Sequence, residues 1–454
     1  MSAAASGATR PGEPRGAVRL GTFDAERRWR PEGLAALPTV RDIQGDRAVA
    51  AMDELLAAAC GPEDLLVTGA DVPRSYRTVL AAAGLPLRHR PAPAVPDGAE
   101  GIGTEQRLLA APPAGLDGYR LAPYAVLPET AALVRNCGLR GRLPEIGAVR
   151  AVSSKTWSNM VVRAFGLPGA GTTVTSTAAL RAEVVRIGDR PGDGTGAVLV
   201  KDPYGVAGRG TLAITSPRVL DSVARALERQ VESGAAVELL VQPRYDAVAD
   251  FSAHFDVLRG GGIGWHGVRL MRNATFSYAG SAPPGRALAR RLDAGGYQET
   301  MRHVGAALAA SGYHGPACVD SMLLRDGTVV PVLEINPRMS MGLIGLLLER
   351  RLSGGEGTGP AVRLGVRSVR PAVPDPHQAF TRLATALDDE DVLYRAGGTG
   401  VLPLSAGTLL YPRGRLYYAV VAESPEQDRL LRAALDRAVR EAVETAAVEV
   451  AHVS

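Results

Sequence analysis

Lysine is almost absent from this chain. Of its 51 lysine and arginine residues only Lys155 and Lys201 are lysine, and asparagine is confined to Asn136, Asn159, Asn273 and Asn336. The bias is that of a very GC-rich genome, in which arginine replaces lysine wherever either serves. A lysine that survives it marks a position where a compact ammonium is needed and a planar guanidinium will not do. Cysteine is as sparse: Cys60, Cys137 and Cys318 lie far apart with no paired spacing, which points to neither a disulfide framework nor a zinc site. No apolar run reaches the roughly 18 residues that a membrane-spanning helix needs. The formal charge of +4 is small for 454 residues and the basic residues are scattered, which argues against a nucleic-acid or membrane-surface partner. The seven histidines (His89, His254, His266, His303, His314, His377 and His452) show no metal-ligand spacing and read as packing or surface residues. The opening MSAAASGATRPGEPRG lacks an apolar centre, so residues 1–16 read as a disordered leader and not as a signal peptide. A cytoplasmic protein with reduced thiols is expected.

What is present is an ordinary globular composition, 46% apolar and 22% charged, in a length that suggests about three domains. Residues 17–150 alternate helical and strand patterns: RAVAAMDELLAAAC has helical apolar spacing, DLLVTGA is a short buried strand, and RSYRTVLAAAGLP is a helix ending at Gly84. No GxGxxG follows these strands, so no dinucleotide site is expected there. From residue 151 the character changes. SSKTWSNMVVRAFGLP predicts a Ser-capped helix closed by Gly166 and Pro168, with Trp157 as a packing residue. Strands and helices then alternate through 352. Residues 353–376 are Gly/Pro-rich and read as a linker or long loop, and 377–454 as a small C-terminal α/β domain.

Two stretches carry chemistry. In KDPYGVAGRG, residues 201–210, a lysine ends an apolar strand and glycines follow at 205, 208 and 210. Glycine lets backbone N–H groups approach an anion, and the lysine adds a point charge. A plain hairpin turn with an exposed lysine is the alternative. In ACVDSMLLRDGTVVPVLEINPR, a hairpin turned on Asp326-Gly327 sets Asp320 nearly opposite Glu334, with Asn336 and Arg338 following at strand period on the same face. Two buried carboxylates that close do not both ionise without a counter-cation. Two carboxylates and an amide oxygen are hard ligands that suit Mg²⁺; a solvated sheet face with unremarkable acids is the alternative.

The order of Lys155, KDPYGVAGRG, VELLVQPRY, Asp320 and EINPR resembles the ATP-grasp superfamily over residues 151 to about 350. The resemblance implies an α+β ATP-grasp core (151–352) behind an N-terminal α/β pre-ATP-grasp domain (17–150). It places ATP between two subdomains, with Lys155 and Lys201 on the phosphates. The loop 204–210, with Tyr204, Gly205, Gly208 and Gly210, would close over them. The backbone of LLVQPRY would meet the adenine, although Gln242 stands where the family commonly has glutamate. Asp250 falls where an acid holds the ribose hydroxyls. Asp320, Glu334 and Asn336 fall on the Mg²⁺ ligands (Mn²⁺ being the alternative ion), and Arg338 on the arginine facing the transferred phosphoryl. Arg269 and Arg272, in GVRLMRN, are read either as binding the substrate carboxylate or its acyl phosphate, or as a rim salt bridge. GVRLMRNATFSYAGSAPPG and the C-terminal GTGVLPL…RLYYAVVAESPEQ resemble peptide ligases of the pheganomycin type, which belong to natural-product pathways. The expected activity is ADP-forming ligation of a small-molecule carboxylate to the amine of an amino acid or peptide, with a homodimer as a further option. The rivals are carboxylation or small-molecule phosphorylation on the same fold, and a non-catalytic nucleotide-binding regulator.

Overall fold

The computed structural model describes residues 16–40, 42–94, 102–188, 197–205, 210–274, 277–353 and 359–444. The leader up to residue 15, Gly208 and the last ten residues, His452 among them, lie outside the described residues. Among the described residues three sheets organise the chain.

The first sheet is parallel: β1 (Ala17–Leu20), β2 (Leu65–Thr68), β3 (Arg88–Pro91) and β4 (Arg120–Pro123), in the order β3-β2-β1-β4. Its short central strands are apolar because helices cover both faces of a parallel sheet. Strand order reverses between β1 and β4, and a crevice opens at the carboxyl ends of strands at such a switch point. The chain leaving β1 forms a short helix, Ala25–Trp29, pinned by the buried Trp29, whose Nε1 donates to the Val126 carbonyl at 2.8 Å. The stretch read as one helix divides into an α-helix, Ile43–Ala50, and a tighter 3₁₀ run, Ala51–Ala59, which is buried almost throughout.

The second sheet is small and antiparallel: β5 (Thr172–Val174), β6 (Val198–Lys201), β7 (Thr211–Ile214) and β8 (Leu239–Pro243), in the order β5-β8-β6-β7. Two helices back it, Thr177–Gly188 and Pro217–Glu232. The second is capped by Ser216 and buries Leu220, Val223, Ala224 and Leu227 along one stripe.

The third sheet has eight antiparallel strands: β9 (Ala247–Val257), β10 (Ile263–Ala274), β11 (Ser277–Ala282), β12 (Gly315–Leu324), β13 (Val329–Asn336), β14 (Ala361–Val369), β15 (Gly400–Pro403) and β16 (Gly414–Ala422). Their order is β13-β12-β9-β10-β11-β14-β16-β15. This corrects the reading of 353–376 as a linker: β14 lies inside that stretch and bridges β11 to β16. Val362 and Leu364 are buried at strand spacing, a period hidden between Gly- and Pro-rich flanks. The strands of 377–454 therefore extend the central sheet instead of closing a sheet of their own. No helix of the described residues is long and apolar enough to cross a membrane.

Candidate functional site

An open cavity of about 780 Å³ lies where the three sheets converge. Its floor is the β12–β13 hairpin. Gly327, at φ +89°, makes the turn, and the register pairs Asp320 with Glu334 and Cys318 with Asn336. Lys155 opens the helix Lys155–Ala164, whose first turn is capped by Ser154 Oγ accepting from Trp157 N. That helix is seated on β13 by Ser158 Oγ, which accepts from Ile335 N at 3.1 Å. The seat brings Lys155 Nζ to 2.9 Å from Glu334 Oε1 and 2.7 Å from the Gly205 carbonyl. Lys201 ends β6 and is buried, as Lys155 is. The fold thus brings both lysines of the chain to one carboxylate pair.

The electrostatics follow from enclosure. Burial, and then the neighbouring Glu334, raise Asp320 to about 6. Burial would raise Glu334 too, but Lys155 and Lys201 hold it below the usual carboxylate range. Burial lowers Lys201 to about 8, with Lys155 adding to the shift while Glu334 and Asp320 oppose it. Asn336 Nδ2 donates to Asp320 Oδ2 at 3.0 Å. Among the described residues no three His, Cys, Asp or Glu side chains gather as a metal site. The donor set is two carboxylates and one amide, with a lysine ammonium already balancing one carboxylate. A hard divalent cation that takes its remaining ligands from phosphate oxygens and water fits that set.

Arg338 stands at the exit of β13. Its Nε and Nη2 donate to Glu26 Oε1 at 2.6 and 2.5 Å, and Nη1 donates to Tyr124 Oη at 3.1 Å and to the Met339 carbonyl at 2.9 Å. Its guanidinium lies 5.6 Å from the centre of the Tyr124 ring, which stacks on Phe23. Glu26, Phe23 and Tyr124 all come from the ends of β1 and β4, so the first sheet's crevice forms one wall. Glu26 Oε2 is buried without a partner. On the opposite side Gln242 lines the cavity; its Nε2 donates to the Gly169 carbonyl at 2.8 Å, while its Oε1 is buried and unpartnered. Asp250 also lines it, accepting from Asn273 Nδ2 at 2.9 Å.

Other expected residues fall elsewhere. Arg269 is fully buried beneath the helix Met341–Leu352, paired with Glu349 at 2.8 Å and donating to the carbonyls of Ser281 and Val362. Gly345 on that helix leaves the room: a Cβ there would lie 3.4 Å from Arg269 Nη2. Arg272 is exposed on β10 opposite Gly280 and does not line the cavity. Neither arginine lines the cavity, and the ion pair of Arg269 is a buried one and not a rim bridge. The Tyr204 ring turns away, its hydroxyl 3.4 Å from the Arg150 carbonyl. Gly205 lines the cavity, whereas Gly210 only closes the loop base, its carbonyl accepting from Asp202 N at 2.7 Å.

Several wall residues had no sequence motif to mark them. Glu26 and Tyr124 reach the site from the first sheet, and Arg415 and Tyr417 from β16. Ser252 and Ser340 line the cavity and are spaced by the buried His254, whose Nε2 and Nδ1 lie 3.0 and 3.1 Å from their hydroxyls. Burial, and then Arg269, lower His254 to about 3, so it is a neutral spacer.

No protein-family model and no curated protein matches the sequence. Solved structures do match the fold. An N5-carboxyaminoimidazole ribonucleotide synthetase in its ADP complex aligns with TM-score 0.53 at 12% identity, over 94% of this chain and 98% of that one. An L-amino acid ligase from Bacillus licheniformis aligns with TM-score 0.52 at 13% identity, over 95% of this chain and 98% of that one. A biotin carboxylase from Campylobacter jejuni, in a complex with βγ-ATP, aligns with TM-score 0.52 at 13% identity, over 92% and 90%. The chain has the mixed α/β fold of these ATP-grasp enzymes, along nearly its whole length.

Proposed function

We propose that this chain is an ATP-dependent, ADP-forming ligase that joins a carboxylate to the amine of an amino acid or peptide. The observation that carries the reading is the convergence of both lysines of the chain on the Asp320–Glu334 pair at the floor of the cavity. Lys155 and Lys201 are the cations for the phosphates, with the Gly205 backbone beside them. The free Oε1 of Gln242 is an acceptor for the adenine amino group, and Asp250 for ribose hydroxyls. Asp320, Glu334 and Asn336 would hold Mg²⁺ or Mn²⁺, which supplies charge neutralisation on the phosphate oxygens.

A carboxylate oxygen attacks the γ-phosphorus, the bond to the β-phosphate oxygen breaks, and ADP leaves. The amine then attacks the acyl carbon, inorganic phosphate leaves, and the nitrogen gives up a proton. Arg338, held flat by Glu26 and Tyr124, would face the transferred phosphoryl and then the tetrahedral oxyanion. Preorganised charge of this kind commonly contributes about 3 kcal/mol to a rate.

Structures of the same fold include an amino-acid ligase and carboxylating enzymes. We place this chain with the former, in a natural-product pathway, with a first domain over 17–150 and an ATP-grasp core from 151 whose central sheet runs on through β14, β15 and β16. An ADP-release screen across amino acids and dipeptides, singly and in pairs, with mass spectrometry of the products, tests this. Release that needs both an acid and an amine, with an amide product, supports the ligase. Release driven by bicarbonate, or by one substrate with no amine, contradicts it.

A further inference from the structure

The turn that follows Lys201 is held from two directions. From within the site, Lys155 N donates to the Pro203 carbonyl at 3.0 Å and its Nζ to the Gly205 carbonyl at 2.7 Å. From outside, Asp202 receives Arg30 of the first α/β unit, with Nη1 2.6 Å from Oδ1. The same Oδ1 accepts from Tyr204 N at 2.9 Å, so this carboxylate sets the shape of the turn. Asp202 is buried, its side chain only 6% exposed, and a carboxylate so enclosed requires a counter-charge.

Arg30 is itself fixed. Its Nη2 donates to the Leu34 and Ala35 carbonyls at 3.1 and 2.6 Å, bending residues 30–35 into an arch. The arch is stitched to the small antiparallel unit. Ala35 N donates to the Ala236 carbonyl, Ala236 N to the Gly33 carbonyl, and the Gln230 side chain to and from Ala36. Ala35 and Leu37 are buried in that unit's core. At the other end of the same short helix, Glu26 holds Arg338. One helix of the first unit therefore touches both the metal-face arginine and the turn beside the phosphates.

Resting on the reading of this cavity as an ATP site, we propose that Arg30 is a positioning residue for nucleotide binding. It keeps the Asp202 carboxylate engaged outside the site, so that Lys201 and Lys155 stay available to phosphate. Without the guanidinium, a buried carboxylate next in sequence to Lys201 keeps the Tyr204 N–H but loses its counter-charge. That unbalanced charge, held in the turn that follows Lys201, then opposes an anionic ligand. Arg30 thus acts through Asp202 and makes no contact with the nucleotide.

Calorimetric titration of the full-length protein with ATP tests this without any acceptor substrate. Arg30→Gln, which shortens the side chain and removes its charge while keeping an amide donor, is expected to raise the Kd for ATP by about tenfold or more. Arg30→Lys stays within about threefold of wild type. The decisive arm is Arg30→Gln combined with Asp202→Asn. Removing the released charge restores affinity to within about threefold of wild type, which a merely structural role of Arg30 would not allow. Wild-type affinity in Arg30→Gln, or a double variant as weak as the single one, overturns the inference alone. Failure of the wild-type protein to bind ATP overturns the site reading and this inference with it.

Discussion

Lys155 Nζ bridges Glu334 Oε1, at 2.9 Å, to the Gly205 carbonyl, at 2.7 Å. The ammonium therefore stands between the carboxylate face and the glycine turn, the position that a nucleotide's terminal phosphates would share. Glu334 balances the lysines there and, on the proposed reading, would also be a hard oxygen ligand. Glu334→Gln keeps the shape and removes the charge. It is expected to lower turnover at least about a hundredfold, or about 3 kcal/mol, with Tm close to wild type. Turnover within a few-fold of wild type, measured as ADP release, would count against the metal-face assignment.

Lys201 is lowered to about 8 chiefly by burial. A phosphate ligand needs the charged form. ATP affinity should therefore hold below pH 8 and fall towards tenfold per unit above it, as free protein increasingly carries neutral lysine. Lys201→Arg stays charged at every pH, but its planar fork is too bulky for the enclosed end of β6. Weaker ATP binding than wild type at pH 7, with no fall above pH 8, is expected in a titration series. Wild-type affinity in Lys201→Arg would refute the steric argument.

How much of this was readable from the chain alone depends on how local the cause is. The Asp320–Glu334 pairing was legible because an Asp-Gly turn fixes register and a period of two fixes the face. The lysines were legible by their scarcity. Glu26 was not, because it meets Arg338 across 312 residues and stands in a five-residue helix with no motif. Arg269 shares strand parity with Met271, which does line the cavity. What separates them is the helix Met341–Leu352 lying over Arg269, a tertiary fact that alternation along β10 does not carry. The strand β14 was hidden because composition averages over Gly/Pro flanks and masks a short alternating run.

The placement of Arg269 has its own consequence. Breaking a buried ion pair strands a charge, so Arg269→Ala is expected to cost about 3 kcal/mol of stability. Denaturant unfolding reads this directly. The KM for ATP of the folded fraction should be unchanged. A normal stability with a raised KM would return Arg269 to the binding site.

Asp53 is another buried acid, on the 3₁₀ run, its Oδ2 accepting from Gly69 N at 2.6 Å. Burial, despite that hydrogen bond, raises it to about 8. A carboxyl whose folded-state value is raised holds its proton more tightly in the folded protein, so stability falls as pH rises from about 4 to about 8. Asp53→Asn keeps the acceptor oxygen and removes the ionisation. Its Tm should exceed that of wild type at pH 8 and converge with it towards pH 4. A difference that is constant with pH would show that Asp53 does not titrate in that window.

The proposed ligation turns on which phosphate of ATP the substrate carboxylate attacks. Both lysines and the carboxylate face line the cavity together, which on the proposed reading would put charge stabilisation at the terminal phosphate bridge and not at the α-phosphate. With a substrate acid from the screen carrying ¹⁸O in its carboxylate, mass spectrometry of the products locates the label. The account predicts ADP together with ¹⁸O in inorganic phosphate. Label in AMP, with pyrophosphate released, would contradict it.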